Sequence, residues 1–461
     1  METPGKPKIR KSLVLAGGGV RLAYHAGVLT ALEEEGLDFQ HVDGTSGGIF
    51  GAAMLASGIK AEECAERWRK LELKGFLAMM PLQNYTGRYR LKAMGSTEGI
   101  RKKIFPALGI QVEKINAQQA FETTFNVCNF SKKTVEAVSN DRVTEDHLIA
   151  GMSLPIFMPA VRINGDWYTD AVWIKDANMT EAVNRGADEI WLVWCIGNTA
   201  EYLNGFFNQY VHMIEMSANA GVSTEIDELR RVNTEREKQS LNPIVLHIIK
   251  PEFPLPLDPD FFLNRIDADT LINWGYADAK RYLENQTPFD FSDASYTATL
   301  MKNADTVLHF RQQFEGKASL DGKQEKIIIR LSIFIRKEKE KISQEQFASI
   351  QIGEKCIPGY CNQLSPKGKG IVFSEFDFLF NGKLCHVLLE LHFSSVWEIQ
   401  WGLAFKSAKA KLQAEISSEF ILHQPALSRI KNAFYLNVKA ETGWFAKQRL
   451  KKELLKTLLN E

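Results

Sequence analysis

Two periodicities divide the chain. Through about residue 290, short apolar runs alternate with helical stretches. Residues 12–16 read as a strand, followed by glycine punctuation and a helix through Ala23, Val28, Leu29 and Leu32. Residues 39–43 read as a second strand, then a sharp turn at Gly44-Thr45-Ser46-Gly47-Gly48, then an apolar helix over 49–57. The run 189–196 is almost continuously apolar, as a strand covered on both faces should be. Helical patterns over 209–236 and 264–283 close this region. Strands alternating with helices predict an α/β architecture, a mainly parallel sheet between helical layers. Beyond about residue 295 the period becomes two. Ile327, Ile329, Leu331, Ile333 and Ile335 alternate with Arg330, Ser332 and Arg336. Phe376, Phe378 and Phe380 lead into Asn381-Gly382, after which Cys385, Val387, Leu389, Leu391 and Phe393 continue the alternation. Asn-Gly between alternating runs predicts a hairpin, because both turn positions need positive φ. Residues 300–410 are therefore expected to be mainly antiparallel β, with a helical tail. The expected domains are 10–290 and 300–461.

Composition narrows the class. Hydrophobic residues at 45%, with 28 Phe, 9 Trp and 11 Tyr, supply ample core material, which excludes a wholly disordered chain. Lys plus Arg and Asp plus Glu are 56 each, so the basic excess that marks nucleic-acid partners is missing. No apolar run approaches the roughly 20 residues that span a bilayer. The basic-then-apolar segment 6–16 is too short for a signal peptide and runs into glycines, so it reads as a buried strand. With six cysteines, a reducing, cytoplasmic setting is expected. Cys64, Cys128 and Cys195 are expected to pack as small hydrophobes. Cys356, Cys361 and the pair Cys385-His386 are too loosely spaced for a zinc site, so no metal or other cofactor is expected.

Three motifs carry chemistry. Gly44-Thr45-Ser46-Gly47-Gly48 is a G-x-S-x-G between a strand and an apolar helix, a bend that strains the serine backbone and presents its hydroxyl above the sheet edge. Gly44 and Gly48 avoid collisions with the neighbouring elements, and the helix that follows aims its free N–H groups at the serine oxygen. Gly17-Gly18-Gly19-Val20-Arg21 stands at another strand-to-helix junction. It could cradle a phosphate, form an oxyanion hole or simply turn the chain, but neither G-K-[ST] nor G-x-G-x-x-G can be completed. Asp170, in Trp167-Tyr168-Thr169-Asp170-Ala171, follows a hairpin signal at Asn164-Gly165. Taken alone, it could equally be a solvated turn acid.

Together with Ala150-Gly151-Met152-Ser153-Leu154-Pro155 and Pro159, these motifs resemble the patatin-like phospholipase family in order and spacing, over roughly residues 10–290. The resemblance implies a three-layer α/β lipid acyl hydrolase working through a Ser–Asp dyad. Ser46 would be the nucleophile, Asp170 the general base, and Gly17, Gly18 and Gly19 the oxyanion hole, with Arg21 supporting that loop. Two positions depart from the family pattern: Ala171 and Leu22 stand where it has glycine. An alanine held at positive φ would cost on the order of 1 kcal/mol.

A carboxylate can serve as the base without an imidazole if partial desolvation raises its pKa from about 3.9. His25 and His41 are the nearest histidines in sequence, and both read as packing or surface residues. The expected partners are phospholipids or other lipid esters, with peripheral membrane association as the corollary and no nucleic acid. Two segments could meet lipid. One is a lid through Phe76, Leu77, Met79, Met80, Leu82, Tyr85 and Tyr89 with Arg88, Arg90 and Lys92, although a core role is at least as plausible. The other is a basic amphipathic helix over 445–459, with Leu450, Leu454 and Leu458 beside Lys447, Lys451 and Lys452, which more often packs on its own domain. An acyltransferase with the same dyad and a catalytically decayed lipid-binding protein are the rival readings.

Overall fold

The computed structural model describes residues 9–71, 78–79, 93, 95–202, 204–255, 267–292, 299–320, 323–339, 341–368, 371–392, 407–413, 418–423, 437–439 and 444–459. They form two compact units, one of residues up to 258 with 282–302, the other of 259–281 with 303 onwards. The lid candidate lies outside the described residues apart from Ala78–Met79, which pairs with Gly95–Ser96.

The first unit is built on an eight-stranded sheet. Its strands are β1 (Lys11–Leu15), β2 (His41–Thr45), β3 (Glu122–Asn129), β4 (Thr134–Ser139), β5 (Val161–Ile163), β6 (Asp166–Asp170), β7 (Glu189–Val193) and β8 (Val245–Ile249). The order is β8-β7-β1-β2-β3-β6-β5, with β4 also on β3. Every pairing from β8 to β3 is parallel, whereas β4, β5 and β6 pair antiparallel. The sheet is thus mixed but mainly parallel, as the strand–helix alternation predicted. Parallel strands bury both faces, and Leu13, Val14 and Leu15 of β1 and Ile190, Trp191, Leu192 and Val193 of β7 are all buried. Helices α1 (Ala23–Glu34) and α2 (Gly48–Ala56) follow β1 and β2 directly, and α3 (Glu145–Gly151), α4 (Met179–Asn184) and the 33-residue α5 (Phe206–Lys238) are among the helices that follow. The Asn164-Gly165 hairpin is present between β5 and β6, with φ of 49° and 94° at its turn.

One feature of the register positions the site. Along β3, β2 pairs in parallel as far as Thr45 opposite Asn126, and β6 pairs antiparallel from Asp170 opposite Val127. Because β4 occupies the other edge of β3 over 124–129, β2 and β6 share one edge and meet end to end there. The residue after β2 is Ser46, and the last of β6 is Asp170.

The second unit holds two five-stranded antiparallel sheets and a helical tail. The first contains β9 (Thr306–Leu320), β10 (Lys323–Glu338), β11 (Lys341–Ile352), β12 (Lys355–Pro358) and, paired with β9, Asn437–Lys439. The second runs through Tyr360–Gly368, Ile371–Phe380, Lys383–His392, Ser407–Gln413 and Ser418–Leu422. The predicted Asn381-Gly382 turn joins two of these strands with φ of 50° and 75°. Alternate side chains from both sheets, among them Phe314, Ile329, Leu331, Ile333, Phe376, Val387 and Leu389, fill one core.

One expectation changes here. The helical pattern at 264–283 is α6 (Ala268–Asn285), and its stretch to Arg281 belongs to the second unit instead of closing the first. Trp274 stacks on Phe347 at 4.6 Å, and Thr270 bonds Ser332 at 2.6 Å. This helix covers the face of β10 that carries Ser332 and Arg336, so those alternating polar residues are buried instead of facing water. The amphipathic tail α7 (Trp444–Leu459) places Leu454 and Leu455 in the second unit's core. No described helix is long and apolar enough to cross a membrane.

Candidate active site

The elbow begins where β2 ends. Ser46 has φ of 52°, a left-handed conformation that costs a non-glycine residue on the order of 1 kcal/mol or more. Close packing holds it there. A Cβ on Gly48 would lie 2.0 Å from the Leu15 carbonyl oxygen, and one on Gly44 would lie 2.9 Å from the Gly48 carbonyl oxygen. Only bare backbone lets α2 start this close to β1. Leu22, one of the two departures from the family pattern, is buried over the same turn, and a Cβ on Gly47 would lie 2.4 Å from its side chain. The start of α2 directs positive dipole charge toward the serine.

Asp170 arrives from the other side of the shared edge. Ser46 Oγ donates a 2.7 Å hydrogen bond to Asp170 Oδ2 across a sequence separation of 124. Asp170 is 1% exposed and Ser46 9%, so the pair is shielded while the hydroxyl keeps some access. Asp170 Oδ1 accepts from Val172 N at 2.9 Å. The strand end is pinned to the loop after α3: Asp170 N and Thr169 Oγ1 both donate to the Ser153 carbonyl, at 3.1 and 2.6 Å. Burial pushes Asp170 up from 3.8 to about 7, against the opposing bonds from Val172 and Ser46. Ala171, the other departure, carries none of the strain expected of an alanine at a glycine position. It is absent from the residues with positive φ and begins a short 3-10 turn, fully buried.

The glycine loop between β1 and α1 approaches the same point. Of its three N–H groups, that of Gly17 donates to Asp176 Oδ1 at 3.1 Å. Among the described residues, Gly18 and Gly19 show no such engagement. Of the three glycines assigned to an oxyanion hole by the resemblance, Gly17 thus has its N–H directed at Asp176. Arg21 is buried beside the loop; its backbone N–H bonds the Gly18 carbonyl at 3.1 Å, and its charge acts on Glu215 of α5. Beneath the loop, Cys195 Sγ lies 3.3 Å from the Gly17 carbonyl oxygen and 3.4 Å from His25 Nε2.

A buried polar chain supports the elbow from below. Asp43 accepts from Thr124 Oγ1 at 2.5 Å and from Asn126 Nδ2 at 2.6 Å; Asn126 also reaches Thr45 Oγ1, and Asn178, at the start of α4, donates to Asn126 Oδ1. Burial raises Asp43 to about 8. Neither histidine near the motifs bonds Ser46 or Asp170. His41 bonds Ser12 and Thr124, His25 faces Cys195, and burial lowers them to about 4 and about 3, respectively. Both are neutral packing residues, as the sequence suggested. Asp43, Asn126, Asp176 and Asn178 were not identified from the sequence. The only local signal was a polar cluster, Lys175-Asp176-Ala177-Asn178, beside the apolar Val172, Trp173 and Ile174.

Comparison with known proteins adds three findings. Residues 13–183 match the family model described as patatin-like phospholipase. A lysophospholipase nte1 of Aspergillus oryzae is 29% identical over 288 residues, covering 59% of this chain and 18% of the relative. A lysophospholipase nte1 of Neurospora crassa is 24% identical over 249 residues, covering 48% and 16%. The chain thus spans less than a fifth of the length of these curated relatives. Among solved structures, VipD from Legionella pneumophila aligns with a TM-score of 0.37 at 12% identity, over 62% of this chain and 68% of that one. Over residues 13–183, the family matched is the one that the glycine, serine and aspartate motifs pointed to: the patatin-like phospholipases.

Proposed function

We propose that the protein is a serine lipid acyl hydrolase of the phospholipase A or lysophospholipase type, with Ser46 as nucleophile and Asp170 as general base. The observation that carries this reading is the 2.7 Å bond from Ser46 Oγ to a buried carboxylate whose pKa is pushed to about 7. An ordinary carboxylate is too weak a base to take a serine proton at neutral pH, and desolvation strengthens it. The names of the relatives support the substrate class, an acyl ester of a phospholipid or lysophospholipid.

In the first half-reaction, Ser46 Oγ attacks the ester carbonyl as its proton passes to Asp170. The oxyanion is met by the N–H groups of Gly18 and Gly19 and by the start of α2. Collapse expels the alcohol, which takes the proton from Asp170, leaving an acyl-enzyme on Ser46. In the second, Asp170 deprotonates water, water attacks the acyl carbonyl, and the fatty acid leaves as Ser46 recovers its proton. Hydrolysis of a soluble short-chain ester and of a lysophospholipid tests the proposal. Ser46→Ala should lower kcat/KM by about 10⁴-fold or more and Asp170→Asn by about 10³-fold or more. Activity retained by Ser46→Ala would refute it.

A further inference from the structure

A second acid stands beside the dyad with no part in the steps above. Asp176 is fully buried six residues beyond Asp170, in the turn that leads to α4. Its Oδ1 accepts the Gly17 N–H at 3.1 Å, while its Oδ2 is buried without a hydrogen-bond partner among the described residues. Gly17 is wedged between this carboxyl and the nucleophile. A Cβ there would lie 2.2 Å from Asp176 Oδ1 and 3.0 Å from Ser46 Cβ. The carboxyl, the loop and the serine are therefore in direct succession, and the position of the loop over Ser46 depends on Asp176.

We propose that Asp176 is a positioning residue: its carboxyl clamps the Gly17 edge of the glycine loop against Ser46, setting where the Gly18 and Gly19 N–H groups stand relative to the reacting carbon. This rests on the reading of Ser46 and Asp170 as the dyad. A donor spent on the clamp is lost to the oxyanion, so the arrangement exchanges one possible donor for a fixed location of the other two, and preorganised donors are the effective ones. Burial disfavours charge on the clamp. Burial raises Asp176 well above the ordinary carboxylate range, and Asp170 beside it raises it further, outweighing the bond from Gly17. Ionisable groups near this corner include Asp170 from β6, Cys195 beside the Gly17 carbonyl, Lys175 paired with Glu225 of α5, and Tyr210 of α5, which burial and then Asp170 raise. A protonated carboxyl offers an acceptor at one oxygen and a donor at the other, and asparagine reproduces both.

The test uses the full chain, a fluorophosphonate probe and a soluble short-chain ester. Asp176→Asn should keep kcat/KM within about threefold of wild type and leave the acid limb of its pH profile in place. Asp176→Ala should lower kcat by tenfold or more with little change in KM. Three results would overturn the inference: an unchanged kcat in Asp176→Ala, an Asn variant as impaired as the Ala variant, or an acid limb in the Asn variant shifted down by a unit, which would mean that wild-type Asp176 is charged. If Asp176→Ala does not fold, the Asn variant's rate and profile decide alone. Probe labelling of the wild type at Ser46 separates the two claims. No labelling would sink the hydrolase reading, whereas normal labelling together with any of the three results above would sink only the role of Asp176.

Discussion

The corner around Ser46 and the second unit treat buried ionisable groups differently. Around Ser46, three buried acids, Asp43, Asp170 and Asp176, have no cationic partner within bonding distance among the described residues, and burial raises all three. In the second unit, Arg336 is buried but bonds Glu345 at 2.6 Å and lies over the rings of Trp274 and Phe334. Asp267 there, part-exposed and beside Arg311, is held against desolvation below its ordinary range by that guanidinium and by bonds from Thr270. A fold that needed only stability would neutralise its interior charges as the second unit does. Unpaired buried carboxyls cost stability, and their concentration at one elbow marks the place where the chain gives up stability for a strong base.

The largest effect expected from this contrast is on turnover. Asp170→Asn should remove the acid limb centred near pH 7 along with most of the activity, since the active form is the deprotonated carboxylate and wild-type rates rise with pH through about 7. An unchanged profile for residual Asp170→Asn activity would break the link between burial and catalysis. Next comes Gly48→Ala. Its Cβ would meet the Leu15 carbonyl oxygen at 2.0 Å, so the elbow must open, at a cost of several kcal/mol by urea unfolding, within the range for overpacking and strain.

Arg336→Ala should cost about 3 kcal/mol through the lost ion pair and ring contacts, yet leave kcat on a soluble ester unchanged. An equal loss of turnover would erase the distinction between the units. The same substitution that removes activity at Asp170 should also stabilise the fold in a pH-dependent way. Below about pH 4 the carboxyl is protonated whether folded or not. Between about 4 and 7 the folded state holds the extra proton, so wild-type stability falls as pH rises, and above about 7 the full cost persists. The melting temperature of Asp170→Asn should therefore exceed that of wild type by a few degrees at pH 8, with the gap closing by pH 4. The smallest change is Gly382→Ala, whose φ of 75° with no atom within 4 Å of the added Cβ predicts a loss of about 1 kcal/mol from backbone strain alone.

What could be read from the sequence was what is local in it. The elbow at Ser46 was visible because glycine spacing, a strand before and an apolar helix after all lie within a dozen residues. The hairpins at Asn164-Gly165 and Asn381-Gly382 were visible for the same reason. Asp170 was locally ambiguous, and only its order relative to the other motifs singled it out. The supporting residues had no such signal. Asp43 and Asn126 are polar positions that parallel register brings together over a sequence separation of 83, Asn178 joins them from a helix start 52 residues on, and Asp176 meets Gly17 across 159. α6 was misplaced because its amphipathic pattern shows that it covers an apolar face but not which one. The burial of Ser332 and Arg336 was unreadable for the complementary reason: nothing near them in sequence announces Thr270 or Trp274.

The most direct test of the account is the second-order rate of fluorophosphonate labelling at Ser46, compared between wild type and Asp170→Asn at pH 8. The account predicts rapid labelling of the wild type, at least a hundredfold slower labelling of Asp170→Asn, and none of Ser46→Ala. Labelling of Asp170→Asn at the wild-type rate would contradict it, because the hydroxyl would then be activated by something other than the carboxylate it bonds.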